Sequence, residues 1–285
     1  MKLNFLFILY LLLPQWISQK FWSYQFVQFL SSLNVSHNNK GRDTYNPDDY
    51  KGGENFDSNN SRLLHLEGQF LEQFMHKKNP ERILEMGPGS GFFSRQIIEY
   101  ASVTEYVSLE VNTSFSRYLE KTTASYDVIS HHYNTDYKKL NINTFKSDTI
   151  VAIECFHHMH DRQEFLKTAI KNMPNLQGIV FHDPTHYLPR ILRLLKKLPR
   201  YIRSKTAQND KSWSTHHFLT IGEFRSLEKS CPNISITFQP CFGPRFAPIA
   251  KVLMTVEQGI GWKKDRYPLS RYFMTSMSGI ITIPK

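Results

Sequence analysis

Cysteine is scarce in this chain. Cys155, Cys231 and Cys241 are three in 285 residues. An odd count without C-x-x-C spacing supplies neither a disulfide framework nor a cysteine-based zinc site, and it fits a reducing compartment. There is no zinc-knuckle spacing, no RNP-type aromatic motif and no long basic tail, so a nucleic-acid partner is not expected. No internal repeat is present, and no apolar run reaches the ~20 residues that a membrane-spanning helix needs. Acids are also in short supply: 25 Asp and Glu against 35 Lys and Arg leave a net charge of +10. A basic surface of this kind serves nucleic acid, anionic lipid or acidic substrates, and distribution decides among them.

That distribution favours lipid. Pro189 to Lys205, PRILRLLKKLPRYIRSK, interleaves leucines with basic residues around a break at Pro199, the pattern of a helix that lies on a membrane surface or covers a hydrophobic substrate site, and also of an ordinary surface helix with its leucines on the core. Near the N-terminus, Leu3 to Leu13 is almost wholly apolar, preceded by Lys2 and ended by Pro14, with Trp16, Phe21, Trp22 and Phe26 beyond it. A secretory signal would begin in the same way, but no clear A-x-A-like cleavage site follows. Interfacial anchoring through residues 3–29 and 189–205, with the remaining chain on the cytoplasmic face of a membrane or in the cytoplasm, is the expected placement. Residues 1–30 are thus read as a hydrophobic N-terminal segment and 31–61, rich in Asn, Asp, Gly and Lys, as a polar loop or lid. One catalytic or binding domain is expected over 62–285, with insertions at about 187–217 and 242–277.

The richest stretch is Arg82 to Arg95, RILEMGPGSGFFSR. A short apolar run reaches Glu85, three glycines follow at alternate positions (Gly87, Gly89, Gly91), and then a helical pattern opens. Strand, glycine turn and helix present bare backbone to a nucleotide-like ligand, because glycine alone takes φ > 0 and close approach cheaply. A dinucleotide fingerprint is spaced G-x-G-x-x-G and seats a pyrophosphate. Here the spacing is G-x-G-x-G and an acid stands two residues before it. Glu85 would repel a pyrophosphate and suits a cationic ligand such as S-adenosylmethionine (SAM).

Further strands follow at Tyr106–Leu109, Asp127–Ser130, Asp148–Ile153 and Gly178–Phe181, with helical patterns between them and polar residues at their carboxyl ends. Such alternation describes an α/β protein with a parallel sheet and helices on both faces. Later elements are a helix at Thr220–Ser230, a strand at Ile234–Phe238, helical spacing at Phe246–Gly259 and a last strand at Ser278–Ile283. Glu110 closes the second strand about 20 residues past the glycine turn, where such folds place the acid that accepts from ribose hydroxyls. Val111 is then placed against the adenine face and Asp136 near the adenine amino group.

EMGPGSG, SLEV, NTD and IECFHHMHD, in that order, resemble the motifs of the class I SAM-dependent methyltransferases, a Rossmann-like family. The resemblance covers about Leu63 to Ile236 and a closing strand. It implies a Rossmann-like, seven-stranded, mostly parallel sheet, with a late strand inserted antiparallel and the insertions above its carboxyl edge. It implies SAM as cofactor: Glu85, Gly87, Gly89 and Gly91 toward its methionine part, Glu110 toward the ribose, Val111 and Asp136 toward adenine, and Glu154 beside them. Adenine-methylating members carry an N-P-P-Y-like motif where this chain has Glu154, Cys155, Phe156 and His157, which argues against base methylation. Transfer to a small-molecule or lipid-like acceptor, at oxygen or carbon, is the reading adopted. A protein or RNA methyltransferase and a degenerate SAM-binding membrane scaffold are the alternatives.

Methyl transfer to a hydroxyl requires alignment and proton removal. Histidine is the usual base near neutral pH. His157, His158 and His182 are the candidates, with His157 foremost; His216 and His217 come later in the chain. Adjacent residues of a strand point to opposite faces, which speaks against His182 and Asp183 acting as a base with its orienter. His131 and His132 are expected after the third strand, at the surface. Cys155 reads as an inert thiol, since nothing near it in sequence would lower its pKa. Histidines this close together on one turn rarely converge on an ion, so no metal is expected.

Overall fold

The computed structural model describes residues 70–89, 91–159, 161–185, 187, 219–242, 247–260, 267 and 269–284, together with Leu12. The segments 3–11, 13–29, 31–61 and 189–205, and His160, His216 and His217, lie outside them. A helix, α1, covers residues 70–78. After it come β1 (Arg82–Met86), α2 (Phe92–Ile98), β2 (Glu105–Leu109), α3 (Thr113–Thr123), β3 (Ile129–Tyr133), β4 (Thr149–Ile153), α4 (Arg162–Asn172) and β5 (Gly178–Pro184). The chain continues through α5 (Ile221–Ser230), β6 (Ser235–Phe242), α6 (Ala247–Gly259) and β7 (Met274–Thr282).

Seven strands form one sheet in the order β3-β2-β1-β4-β5-β7-β6. The first five are parallel, and β7 runs antiparallel between β5 and β6. The chain therefore closes with a late antiparallel strand, as the resemblance implies. β1 sits where the strand order reverses, with β2 on one side and β4 on the other. An open α/β sheet forms its ligand crevice at this switch point, beyond the carboxyl ends of the strands.

The sheet is packed on both faces. Leu84, Val107, Ile150, Ala152, Ile179 and Phe181 meet α4 and α5 on one side. Ile83, Tyr106, Val151, Ile153 and Val180 meet α1 and α2 on the other. β4 is buried along its whole length, the expected state of a strand covered on both faces. β3 is an edge strand with only alternate residues half-buried.

β3 corrects two expectations. It runs 129–133 instead of 127–130, so His131 and His132 lie within the strand. An edge strand needs only one half-apolar face, and His132 fills that side with hydrogen bonds: its Nδ1 lies 2.7 Å from Ser108 Oγ and its Nε2 2.8 Å from Thr123 Oγ1. The last two strands are longer than expected. β6 reaches Phe242 and β7 begins at Met274, because their antiparallel ladder continues past a bulge at Cys241 and Phe242.

Two glycines let this sheet close. Gly279 of β7 pairs with Phe181 of β5. A Cβ on Gly279 would stand 2.5 Å from Phe181 Cζ and 2.8 Å from the Thr237 carbonyl. The Phe181 ring stacks on Phe224 of α5 at 4.5 Å, so it has little room to retreat. Gly178 leaves the same kind of space for Phe74 of α1. Gly279→Ala is expected to lower stability by about 1–3 kcal/mol through overpacking. Urea denaturation reads this, and the loss should shrink in a Phe181→Leu background. An equal loss in both backgrounds would show that the ring is not the obstacle.

Candidate functional site

The glycine turn leaves β1 at the switch point. Gly87, Gly89 and Gly91 all have left-handed backbones, with φ of 61°, 56° and 76°. Gly87 donates its N–H to Leu109 O at 2.9 Å, continuing the ladder to β2. Gly91 caps α2. The three are not equivalent. A Cβ on Gly91 would meet Leu119 at 2.5 Å, and one on Gly87 would meet Cys155 Sγ at 3.0 Å. A Cβ on Gly89 would meet nothing within 4 Å. Gly87 and Gly91 are small because the protein presses on them, whereas Gly89 faces open space.

Two carboxylates bracket this turn. Glu110, just past β2 and 6% exposed, accepts the Gly89 N–H on Oε2 at 3.0 Å and the Asn112 N–H on Oε1 at 2.8 Å. Asn112 caps α3 with its side chain. Glu85, 2% exposed on the α1 and α2 face, accepts from Ser94 Oγ at 2.6 Å and Tyr106 OH at 2.5 Å, both on Oε2. Burial pushes the Glu85 carboxyl up to about 7, against the lowering pull of its hydrogen bonds from Ser94 and Tyr106. Val111 is exposed at the same edge. Asp136, beyond β3, accepts the Lys138 N–H at 3.1 Å and so caps the turn Tyr137–Lys139.

β4 ends in a second constellation. Glu154 has a left-handed backbone, φ 55°, which costs a non-glycine residue free energy and is a feature of functional sites. Its N–H reaches His182 O at 2.7 Å. A single 3-10 turn, Phe156–His158, follows. Asp183 of β5, fully buried, accepts the N–H groups of Cys155 (3.1 Å), Phe156 (2.6 Å) and His157 (3.0 Å). Its Oδ1 also lies 2.5 Å from His157 Nδ1. An ionised carboxylate only accepts, so Nδ1 carries the proton and the lone pair sits on Nε2. His157 is buried, and the exposed His158 ring lies 3.9 Å from it, centroid to centroid. Cys155 lies under Gly87, and burial pushes its thiol up, which suits an inert packing role.

The structure separates the other candidate histidine. His182 is buried on the opposite face of β5 from Asp183, with Nδ1 2.6 Å from Ser278 Oγ on β7 and Nε2 3.8 Å from Glu154 Oε1. Desolvation lowers it to about 4, so its ring is neutral near pH 7. Alternation along β5 does keep His182 and Asp183 apart, and each finds a partner on another element. His157 is thus the histidine that acquires an orienting carboxylate.

Sequence reasoning missed that pairing and a second support. Arg162, buried at the start of α4, donates from Nη1 to the carbonyls of Phe156 (3.1 Å) and Met159 (3.3 Å). Its Nη2 meets both oxygens of Glu223 at 2.6 and 2.7 Å. Glu223 also closes the capping box with Thr220 that starts α5. The only signal in sequence was T-x-x-E at 220–223, which announces a helix start and says nothing of Arg162. Among the described residues, no group of three His, Cys, Asp or Glu stands close enough to hold a metal ion.

A family model described as a methyltransferase domain matches residues 84–174, from β1 through α4. Over those residues the chain carries a methyltransferase domain. SAM is the methyl donor of that family. Two solved structures of a plantazolicin methyltransferase share the fold. The complex with SAH is 16% identical with a TM-score of 0.52, covering 79% of this chain and 84% of that one. The complex with a triazolic desmethylPZN analog and SAH is 16% identical with a TM-score of 0.51, covering 82% and 89%. No curated protein matches the chain. Among the described residues, no helix of this methyltransferase is long and apolar enough to cross a membrane.

Glu85 gives the domain a pH signature. Its carboxyl rises from 4.5 to about 7 on folding. The folded state holds that proton more tightly, so the contribution to stability is present below pH 4.5 and is lost as pH rises through about 7. Glu85→Gln removes the titration. Urea midpoints measured from pH 4.5 upward should show the wild type losing stability relative to the variant across this window. A difference that does not change with pH would place the Glu85 carboxyl near its ordinary value.

Proposed function

We propose that this methyltransferase transfers the SAM methyl group to a small-molecule or lipid-like acceptor, at oxygen or carbon, on the cytoplasmic side of a membrane or in the cytoplasm. The observation that carries the reading is the contrast among the three glycines. Gly89 alone opens onto space that a side chain would fill, and its N–H is already aimed at Glu110. Such a cradle fits a ligand that approaches backbone closely.

The residues fit SAM in its parts. Gly87, Gly89 and Gly91 hold the methionine portion, with Glu85 supplying negative charge toward its cationic amine. Glu110 receives the ribose hydroxyls, Val111 and Asp136 border the adenine, and Glu154 closes the site from the end of β4. When bound, SAM supplies an already activated methyl group on a sulfonium. The protein's own work is therefore to align the acceptor, exclude water and take up a proton. His157 accepts that proton on Nε2, while Asp183 fixes the ring and stabilises the imidazolium that results. His158 and His182 border the same sheet edge as further acceptor-side candidates. His182, held near 4, serves as a neutral hydrogen-bonding ring rather than as the base.

Gly89→Ala tests the cradle. A left-handed alanine costs about 1–2 kcal/mol, yet titration calorimetry should show SAM affinity falling by well over that equivalent. SAM affinity unchanged by both Gly89→Ala and Glu110→Ala would sink the cofactor assignment. His157→Ala should leave SAM affinity intact and slow methyl transfer by about 10²–10⁴-fold. Labelled-methyl profiling of lipid and metabolite extracts identifies the acceptor. Label appearing only in protein or RNA would overturn the acceptor class, and SAM binding without any transfer would favour a scaffold.

A further inference from the structure

Helix α6 lies in the segment between β6 and β7. Pro184 at the carboxyl end of β5 pairs with Ser276 near the start of β7, and Phe242 at the end of β6 pairs with Met274. The segment therefore leaves and re-enters the sheet at the same edge as the glycine turn and His157. Ala250 and Glu257 are the fully buried residues described in α6, and Met254 packs against the core from the same helix. Glu257 is the helix's only acid, and it is wholly engaged. It accepts the Leu269 N–H at 2.5 Å, the Ser270 N–H at 2.9 Å and the Ser270 hydroxyl at 2.7 Å. This clamp fixes which face of α6 is turned to the protein.

The face left over is apolar. Ile249, Val252, Val256 and Ile260 are 52%, 64%, 50% and 55% exposed. At 3.6 residues per turn they fall within an arc of about 80°, a continuous stripe. Lys251 and Thr255 are exposed beside it. In sequence, the stretch that contains the stripe is basic: between Gly243 and Phe273 six Lys and Arg stand against two acids, Asp265 and the buried Glu257. The sequence just past the stripe reads Gly-Trp262-Lys263-Lys264. An apolar stripe on a helix without an exposed acid, followed by tryptophan and lysines, has the chemistry of an interfacial helix on an anionic bilayer.

We infer that α6 docks the carboxyl edge of the sheet onto an anionic lipid surface through Ile249, Val252, Val256 and Ile260. The occupant is a bilayer rather than a second copy of the chain, because the stretch that carries the stripe is net basic in sequence, a charge that anionic headgroups neutralise and a like-charged copy does not. The inference deepens the lipid-like acceptor reading: docking at this edge brings the acceptor side of the site to the surface from which a lipid would enter.

Flotation of the full chain with phosphatidylcholine–phosphatidylglycerol vesicles, against pure phosphatidylcholine, tests it. The wild type should float with the anionic vesicles only, less so at high salt. Val252→Glu with Val256→Glu should weaken the partitioning about tenfold or more, and the gentler Val252→Ser with Val256→Ser should weaken it partway. SAH binding by calorimetry, unchanged in both variants, reports that the fold is kept. Failure of the wild type to float overturns the docking, as does equal flotation of wild type and variants, which would assign the contact to other segments. A dimer that the substitutions dissociate, with no vesicle binding, would give the stripe to a second copy and also overturn it. Flotation as expected from a protein that binds no SAH would leave the docking standing and sink the cofactor reading instead.

Discussion

The buried carboxylate of Asp183 is the interaction on which the site's geometry depends. It accepts three consecutive backbone N–H groups and the His157 ring from a turn that belongs to the neighbouring strand. A charge in this position is sustained only because donors surround it. Those donors in turn can be held in one arc only by an acceptor of this kind. The consequence spreads in two directions. The turn places Cys155 beneath Gly87, so the carboxyl ends of β1 and β4 are packed against one another. It also fixes the ring of His157, the candidate base that Asp183 orients. Arg162 holds the far side of the same turn through the Phe156 and Met159 carbonyls and passes the constraint to α5 through Glu223.

The two acids at the glycine turn show how similar side chains are given different surroundings. Glu110 accepts backbone N–H groups at the end of β2. Glu85 faces the apolar layer under α1 and α2, where desolvation outweighs its two hydroxyl donors. A carboxyl poised near neutrality beside the turn gains from the arrival of a cation, since the cation favours its ionised form. The preference for a cationic ligand over a pyrophosphate thus rests on the environment of Glu85 as well as on its presence.

Much of the fold was legible in the sequence because its signals are local. Glycine spacing, apolar runs and helical periodicity each act within a few residues, and they located β1, β2, β4, β5 and α5 closely. β3 was misread because Val128 and Ile129 are the apolar pair in that stretch, whereas an edge strand is fixed by its ladder and by His132 bonding to Ser108 and Thr123. The site was legible as a set of residues at strand ends, but their pairings were not. Alternation along β5 announces that His182 and Asp183 diverge. It cannot say that one meets Ser278, 96 residues away, and the other His157, 26 residues back. Those partners come from strand order, above all the insertion of β7 beside β5, which no local pattern encodes.

The same insertion explains why the link that carries α6 lies at one edge of the sheet. β7 must run antiparallel to enter between β5 and β6, so the link from β6 begins and ends at the carboxyl edge of the sheet. Any helix in that link is built over the crevice side and never over the amino edge. α6 is tied there by Glu257, a carboxylate wholly spent on the backbone and hydroxyl of residues 269 and 270. Ala250 is buried and Met254 packs against the core on the clamped side, while Ile249, Val252, Val256 and Ile260 stay outside it. Their exposure follows from how the helix is anchored, and a helix fastened in this way is free to present its hydrophobic stripe to something other than its own sheet.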